Sequence, residues 1–534
     1  MVRSITQLRK AKMSYPWTRT LDVETAAPID GVIKGIIPAW LEGSLVRNGS
    51  GIYQIGETRF NHLFDGLSVI HKFSIKGGRV TYMNKALKSE AYKKDIGANR
   101  IVVSEYGTKG FPDPCLTFFG RFMNRFSIPN AGEVTDNCSV NLCYHGDALY
   151  AMTETKLLRR VDAESLETLG EIVDVGKYVA VHHTTAHPHV SQDGTVYNMA
   201  NIHGSNPSYN FVEFGPSSSG GFPKGRIVAS IPIDNKFKRS YFHSFGITEN
   251  YFIFAEISLI FDALKFLASN FTQTTISNAF KWNPNSTSKF HLVHRRTGNR
   301  SVFLAEPFFT FHHINAYEEE DHVVVDLCGS SDGRIMNMLT LKNIDPNVNE
   351  ARPNIPAVKP RRYVLPINSE SKKVDENLVS LKNTTASAIK NQKGEIFCYF
   401  EELFDVISEL PRINYSLNGK SYRYFYSISS PEGTIDPNKV IKFDLQKKEV
   451  QTFSEEGKSV SEPVFVVRPN SVDEDDGVVL FSILDDEHPQ KVSLVLLDGK
   501  SFKELGRADF DANGTVPNDF HGLFIAKKDQ VHLY

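Results

Sequence analysis

Short apolar runs rich in Val, Ile, Phe and Tyr recur along the whole chain, broken by Gly, Asp, Asn and Pro, while helical periodicity is rare. The pattern predicts a mostly β protein. Within it, an apolar strand, a tight polar turn and a second short strand repeat at 71–82 (HKFSIKGGRVTY), 157–170 (LLRRVDAESLETLG), 291–305 (HLVHRRTGNRSVFLA), 442–453 (KFDLQKKEVQTF) and 494–506 (LVLLDGKSFKELG). These read as equivalent outer hairpins of propeller blades. Dividing the chain by about seven leaves roughly seventy-five residues per unit, enough for a four-stranded blade with long loops. A pair of β-sandwiches fits the same composition. The polar stretch 343–357 reads as a surface excursion, since strand-like sequence resumes at Tyr363-Val-Leu, and the acidic run 473–476 reads as a solvated hairpin turn.

Two stretches depart from the β pattern. In 116–126, Cys115, Phe119, Phe122, Met123 and Phe126 fall near one helical face, flanked by Arg121 and Arg125. In 257–271, Ile257, Ile260, Phe261, Leu264, Leu267, Ala268 and Phe271 form one apolar stripe at helical spacing. Amphipathic helices this short usually pack on a core, so the spacing alone does not assign them to a membrane.

Composition narrows the function. The 534 residues, 41% hydrophobic, can bury a large core, and a formal net charge of −2 with interspersed signs argues against a nucleic-acid partner. Five cysteines without a CxxC pair suggest neither a disulfide framework nor a cysteine zinc site. The basic start of the chain lacks the apolar core of a signal peptide, and no long uncharged apolar run occurs, so a cytoplasmic location is expected.

Seventeen histidines are present, densest in VHHTTAHPH at 181–189, with no HExxH. Others lie in YFHSFG (241–246), FHHIN (311–315) and FHGLF (520–524). Singly, each is more often a hydrogen-bonded core or surface histidine than a metal ligand. Together, Thr185-Ala-His-Pro-His189, His243-Ser-Phe-Gly246, Phe311-His-His-Ile-Asn-Ala-Tyr317 and His521-Gly-Leu-Phe524, in that order and at those wide separations, resemble the carotenoid cleavage oxygenase family. The resemblance runs from Gly43-Ser-Leu-Val-Arg-Asn-Gly49 to the C-terminus.

The resemblance implies an all-β seven-bladed β-propeller spanning 1–534 as one domain, with a helical and loop cap over an axial Fe(2+). His187, His243, His312 and His521 match the metal ligands, while their neighbours His189 and His313 point elsewhere. Glu154, Glu409 and Glu462 match the carboxylates that orient ligand rings. Tyr106, Thr153 and Tyr241 match substrate-facing positions, and the small Ser330 stands where an aromatic wall occurs in relatives that isomerise retinyl esters. Segments 109–127 and 257–271 match a monotopic membrane anchor, with Cys115 at a position that can be acylated in relatives. The implied reaction consumes a carotenoid and dioxygen at a membrane surface. Resemblance to the insect isomerooxygenase branch implies central cleavage to retinal with trans-to-cis isomerisation of one half, giving 11-cis and all-trans retinal. Retinyl-ester isomerohydrolysis without oxygen, or carotenoid binding without catalysis, are the alternatives.

Overall fold

The computed structural model describes residues 15–111, 135–216, 221–272, 274–349, 351–368 and 374–527. Seven antiparallel sheets form the blades of a propeller. Blade 1 combines residues 43–86 with the strand His521–Ala526; blades 2 to 7 follow at 141–174, 183–232, 246–305, 309–402, 409–454 and 458–511. The ring closes where His521–Ala526 pairs with Gly43–Ile52, placing Asn48 opposite His521. Closure leaves no open inner edge and makes the two ends of the chain one sheet.

Near-continuous apolar strands such as Gly477–Asp485 sit in the middle of a blade, where neighbouring blades bury both faces. Outer strands such as Glu449–Ser454 face solvent and are polar. The core therefore lies between blades. Leu45, Phe73 and Val80 of blade 1 pack with Val464, Leu480 and Leu494 of blade 7. On the other side of blade 1, Val46, Ile70 and Leu523 meet Leu142 and Leu149 of blade 2. Each such fully buried Leu or Val contributes about 1.5–3 kcal/mol by leaving water.

All five hairpins expected from the sequence are the third and fourth strands of their blades. Blades 3 and 5 escaped that pattern because their outer strands are not joined by tight turns. In blade 5, Lys359–Pro366 and Glu401–Glu402 are separated by a long insertion that itself adds two strands, Ser387–Lys390 and Ile396–Tyr399, to blade 4.

Three expectations are corrected. The stripe 257–271 is not one helix: Leu259–Asp262 is a strand pairing with Lys238–Ser240, and only Ala263–Thr272 is helical. The strand wins because Ile257 and Leu259 are buried in the core, while Leu264 and Leu267 are exposed. The stretch 343–357 is not a surface excursion throughout, since Ile344 and Ile355 are buried. In the acidic run, Asp475 is buried against the ammonium of Lys442, and Glu474 accepts the backbone N–H groups of Arg423 and Tyr424, tying the turn to blade 6. The segment carrying Cys115 and Phe119 to Phe126 lies outside the described residues.

Candidate metal centre and substrate cavity

The inner strands converge on the propeller axis and bring four distant histidines together. His187 comes from the interrupted inner edge of blade 3, His243 precedes the inner strand of blade 4, His312 lies in Phe309–Glu319 of blade 5, and His521 opens the closing strand of blade 1. One ring nitrogen from each lies within 4.8 Å of the others. His187 and His243 approach to 2.8 Å between their Nε2 atoms, and the ring centroids of His187 and His521 are 4.6 Å apart.

The remaining blades supply the carboxylates. Glu154 of blade 2 accepts from His243 Nδ1 at 2.5 Å, Glu409 of blade 6 from His312 Nδ1 at 2.6 Å, and Glu462 of blade 7 from His521 Nδ1 at 2.9 Å. With Nδ1–H donated outward, each Nε2 presents its lone pair to the axis. His187 has no carboxylate partner among the described residues; its backbone N–H donates to Thr185 Oγ1 at 3.2 Å.

Burial disfavours the charged form of three of these rings. Burial, then the facing rings of His243, His521 and His312, push His187 far below the ordinary imidazole range. Burial also lowers His243, against the pull of Glu154, and brings His521 to about 4 despite Glu462. Burial would raise the Glu462 carboxyl, but Arg412 and His521 hold it down at about 2. The buried Nε2 of His312 has no hydrogen-bond partner. A buried ring nitrogen with nothing to bond, facing the rings of His187, His243 and His521, fits a divalent transition metal better than any hydrogen-bonded arrangement.

Local backbone devices aim these groups. Leu410 has φ of +50°, and a bulge interrupts the pairing between Glu409 and Arg412. A leucine in the left-handed region, followed by proline, costs about 1–3 kcal/mol. It lets Leu410 N–H donate to Glu409 Oε2 at 2.9 Å while that same oxygen takes His312. At blade 7, Glu462 also accepts Gly522 N–H at 2.9 Å and faces Arg412 at 3.4 Å, and its carbonyl oxygen accepts from the wholly buried Arg47.

His243, His312 and His521 floor a cavity of about 630 Å³, within the range of small-molecule sites. One aromatic series runs from Phe311 through Phe64 and Phe520 to Trp17. Another runs from Tyr241 through Phe280 and Phe261 to Phe266. Tyr106 and Thr153 line the cavity, and the buried Tyr106 hydroxyl has no partner. Tyr241 also lines it, but its hydroxyl is committed to Glu154 at 2.8 Å, so it buttresses the carboxylate as well. Ser330 does not border the cavity; it is buried opposite Phe309, so its small side chain does not shape the cavity wall.

His189 and His313 turn away from the axis, to Phe245 O and Ser244 Oγ respectively, so the doublet resolves in favour of His312 facing the cluster. Sequence reasoning passed over Arg412, Arg47, Thr185 and Ser244. Arg412 and Arg47 stand inside the motifs around Glu409 and Gly43, where a charged residue amid apolar ones was the available signal.

Over residues 18–526 the sequence matches the family model described as retinal pigment epithelial membrane protein, RPE65. It is 38% identical over 521 residues to beta,beta-carotene 15,15'-dioxygenase of Mus musculus, covering 95% of this chain and 90% of that protein. It is also 38% identical over 519 residues to the mitochondrial carotenoid-cleaving dioxygenase of Mustela putorius furo, covering 94% of each. Among solved structures, a variant of the Synechocystis apocarotenoid oxygenase superposes with a TM-score of 0.76 at 20% identity, covering 96% of this chain and 98% of that one. The cobalt-substituted form of that oxygenase gives 0.75 at 21% identity over the same shares.

Proposed function

Since the chain belongs to the retinal pigment epithelial membrane protein family, which includes the carotenoid dioxygenases, we propose that it cleaves the central double bond of a carotenoid with dioxygen to give retinal. The observation that carries this reading is the convergence of four imidazoles at the propeller axis, three of them on the floor of an apolar, aromatic cavity.

In this reading His187, His243, His312 and His521 hold Fe(2+), which when bound supplies the one-electron chemistry that lets dioxygen react with a closed-shell double bond. Glu154, Glu409 and Glu462 retain the Nδ1 protons and fix the ring planes, so that the Nε2 lone pairs need not reorganise. Phe64, Phe311 and Phe520 press a polyene against the histidine floor and exclude water. Tyr106 and Thr153 border the chain of the substrate, the Tyr106 hydroxyl being the free polar group on that wall. The stoichiometry is one carotenoid and one dioxygen to two aldehydes.

The reading includes trans-to-cis isomerisation of one half, giving 11-cis and all-trans retinal, which rests on the likeness to insect isomerooxygenases. It also includes peripheral attachment to a membrane. No helix among the described residues is long and apolar enough to cross one. The helix Ala263–Thr272 exposes Leu264 and Leu267 to solvent, next to Phe261 and Phe266 of the cavity wall, which suits a mouth opened onto lipid.

Incubation of the iron-loaded protein with a carotenoid and with a retinyl ester, with and without oxygen, followed by chromatography, tests the activity. Two aldehydes from the carotenoid, only with oxygen and lost in His243→Ala and His521→Ala, are expected. Retinol and fatty acid released anaerobically from the ester would instead make it an isomerohydrolase, and no product from either would reduce it to a binding protein.

A further inference from the structure

At one end of the cavity the lining changes character. Arg239, His182, His203 and Asn201 border it there, a polar group in a mostly apolar wall. Lys156 is also present but is paired with Asp174 at 2.9 Å. Arg239 has no carboxylate partner among the described residues; its guanidinium donates to His203 and lies 5.9 Å from the ring of Phe261. Its buried Nε has no hydrogen-bond partner, and neither does Oδ1 of Asn201, which is 8% exposed. His182 and His203 are exposed and stacked, with centroids 5.2 Å apart. This end is therefore a rim, open to solvent on one side and to the cavity on the other.

An uncompensated guanidinium with an idle donor, held at the edge of an apolar channel, lacks an anion. We infer that the rim around Arg239 binds the carboxylate of a long-chain lipid acid whose tail enters the cavity along Phe261, Phe266 and Phe280. The arginine fork matches a carboxylate bidentately, and the aromatic series takes the hydrocarbon. Such a ligand comes from membrane fatty acid or from an apocarotenoid acid, which differ in tail but share the head.

Overlap with the carotenoid follows from the chain. His243 is four positions beyond Arg239, so their Cα atoms are at most about 14 Å apart, and a tail leaving Arg239 inward occupies the volume over the histidines. The acid then competes with the carotenoid. That consequence rests on the proposed activity; binding does not.

Calorimetric titration of the full chain with oleate and oleyl alcohol, and with retinoate and retinol, separates the two questions. At least one acid is expected to bind about tenfold or more tightly than its own alcohol, and Arg239→Gln should abolish that preference while leaving alcohol binding unchanged. The acid with the larger preference identifies the source. Equal affinity of both acids and their alcohols in the unaltered protein overturns the inference without any variant. A preference that persists in Arg239→Gln overturns it too, and His203→Gln, at an exposed position, provides a second variant should the first fail to fold. Carotenoid turnover unaffected by a bound acid would remove the competition while leaving the site in place.

Discussion

Replacing Glu462 by Gln changes one oxygen to an amide and removes one charge at a site that is 1% exposed. The carboxylate takes His521 Nδ1–H at 2.9 Å, Gly522 N–H at 2.9 Å and the field of Arg412 at 3.4 Å. Gln can keep an oxygen on one of these donors, and it then points an NH2 toward the other donor or toward Arg412. The loss is a charge-assisted bond, about 1.5–3 kcal/mol, together with a donor left buried. Losing the group that orients a metal-bound histidine costs about 10–100-fold in metal affinity, or roughly 1.4–2.8 kcal/mol, which is the same scale. Iron retained after dialysis against a graded chelator, measured by atomic emission alongside the urea midpoint, reads both effects. Expected are a 10–100-fold weaker retention and a lower midpoint, with Glu409→Gln weakening retention similarly. Unchanged iron content and turnover in both variants would refute the idea that these carboxylates set the ligand rings.

The fold and the membrane reading give further outcomes. Asn48 is fully buried and donates from Nδ2 to the carbonyls of Cys138 at 2.7 Å and Asn141 at 3.1 Å, joining blades 1 and 2, so Asn48→Ala should cost about 3 kcal/mol in urea unfolding. His145 sits among Tyr150, Phe214 and Phe222 with both ring nitrogens unpartnered, and burial lowers it to about 3. Its unfolded form therefore binds the extra proton, and stability present above about 6.5 is lost as pH falls toward 3; His145→Leu should flatten that decline in a Tm-against-pH series. Leu264→Glu with Leu267→Glu, both at exposed positions, should reduce sedimentation with phospholipid vesicles at least tenfold and leave turnover in detergent intact; unchanged sedimentation would exclude this helix from membrane contact.

The parts legible in the sequence are those that local physics determines. Hairpins such as 442–453 announce themselves because a tight polar turn between an apolar strand and a second short strand is a local feature. The split of 257–271 was not legible: Ile260 and Phe261 fit a helical stripe as well as a strand, and only pairing with Lys238–Ser240 decides between them. Four histidines 56 to 209 residues apart could be grouped by family resemblance but not by spacing, because the axis that unites them is made by ring closure. The orientation of Glu409 was equally hidden, since it depends on the left-handed Leu410 and a bulge that no propensity favours. Likewise Arg239 reads in sequence as an ordinary surface cation, and only the structure shows that it meets His203 and has no carboxylate partner among the described residues.

The division of labour around the ring links the centre to the fold. Histidines come from blades 1, 3, 4 and 5 and glutamates from blades 2, 6 and 7, so every blade contributes one group to the axis. His521 stands on the strand that closes the ring, and its glutamate stands on blade 7, the other side of the closure. Arg47 of blade 1 holds Asp519 at 2.8 Å and Glu462 O at 2.9 Å, bracing that seam from within. A partly open ring therefore loses one ligand and its orienting carboxylate together. Metal binding and closure then favour each other, because an ion that binds only the four-histidine arrangement stabilises the closed ring by mass action. On the proposed iron site, placing the fourth histidine at the seam completes the site only in a propeller that has finished folding.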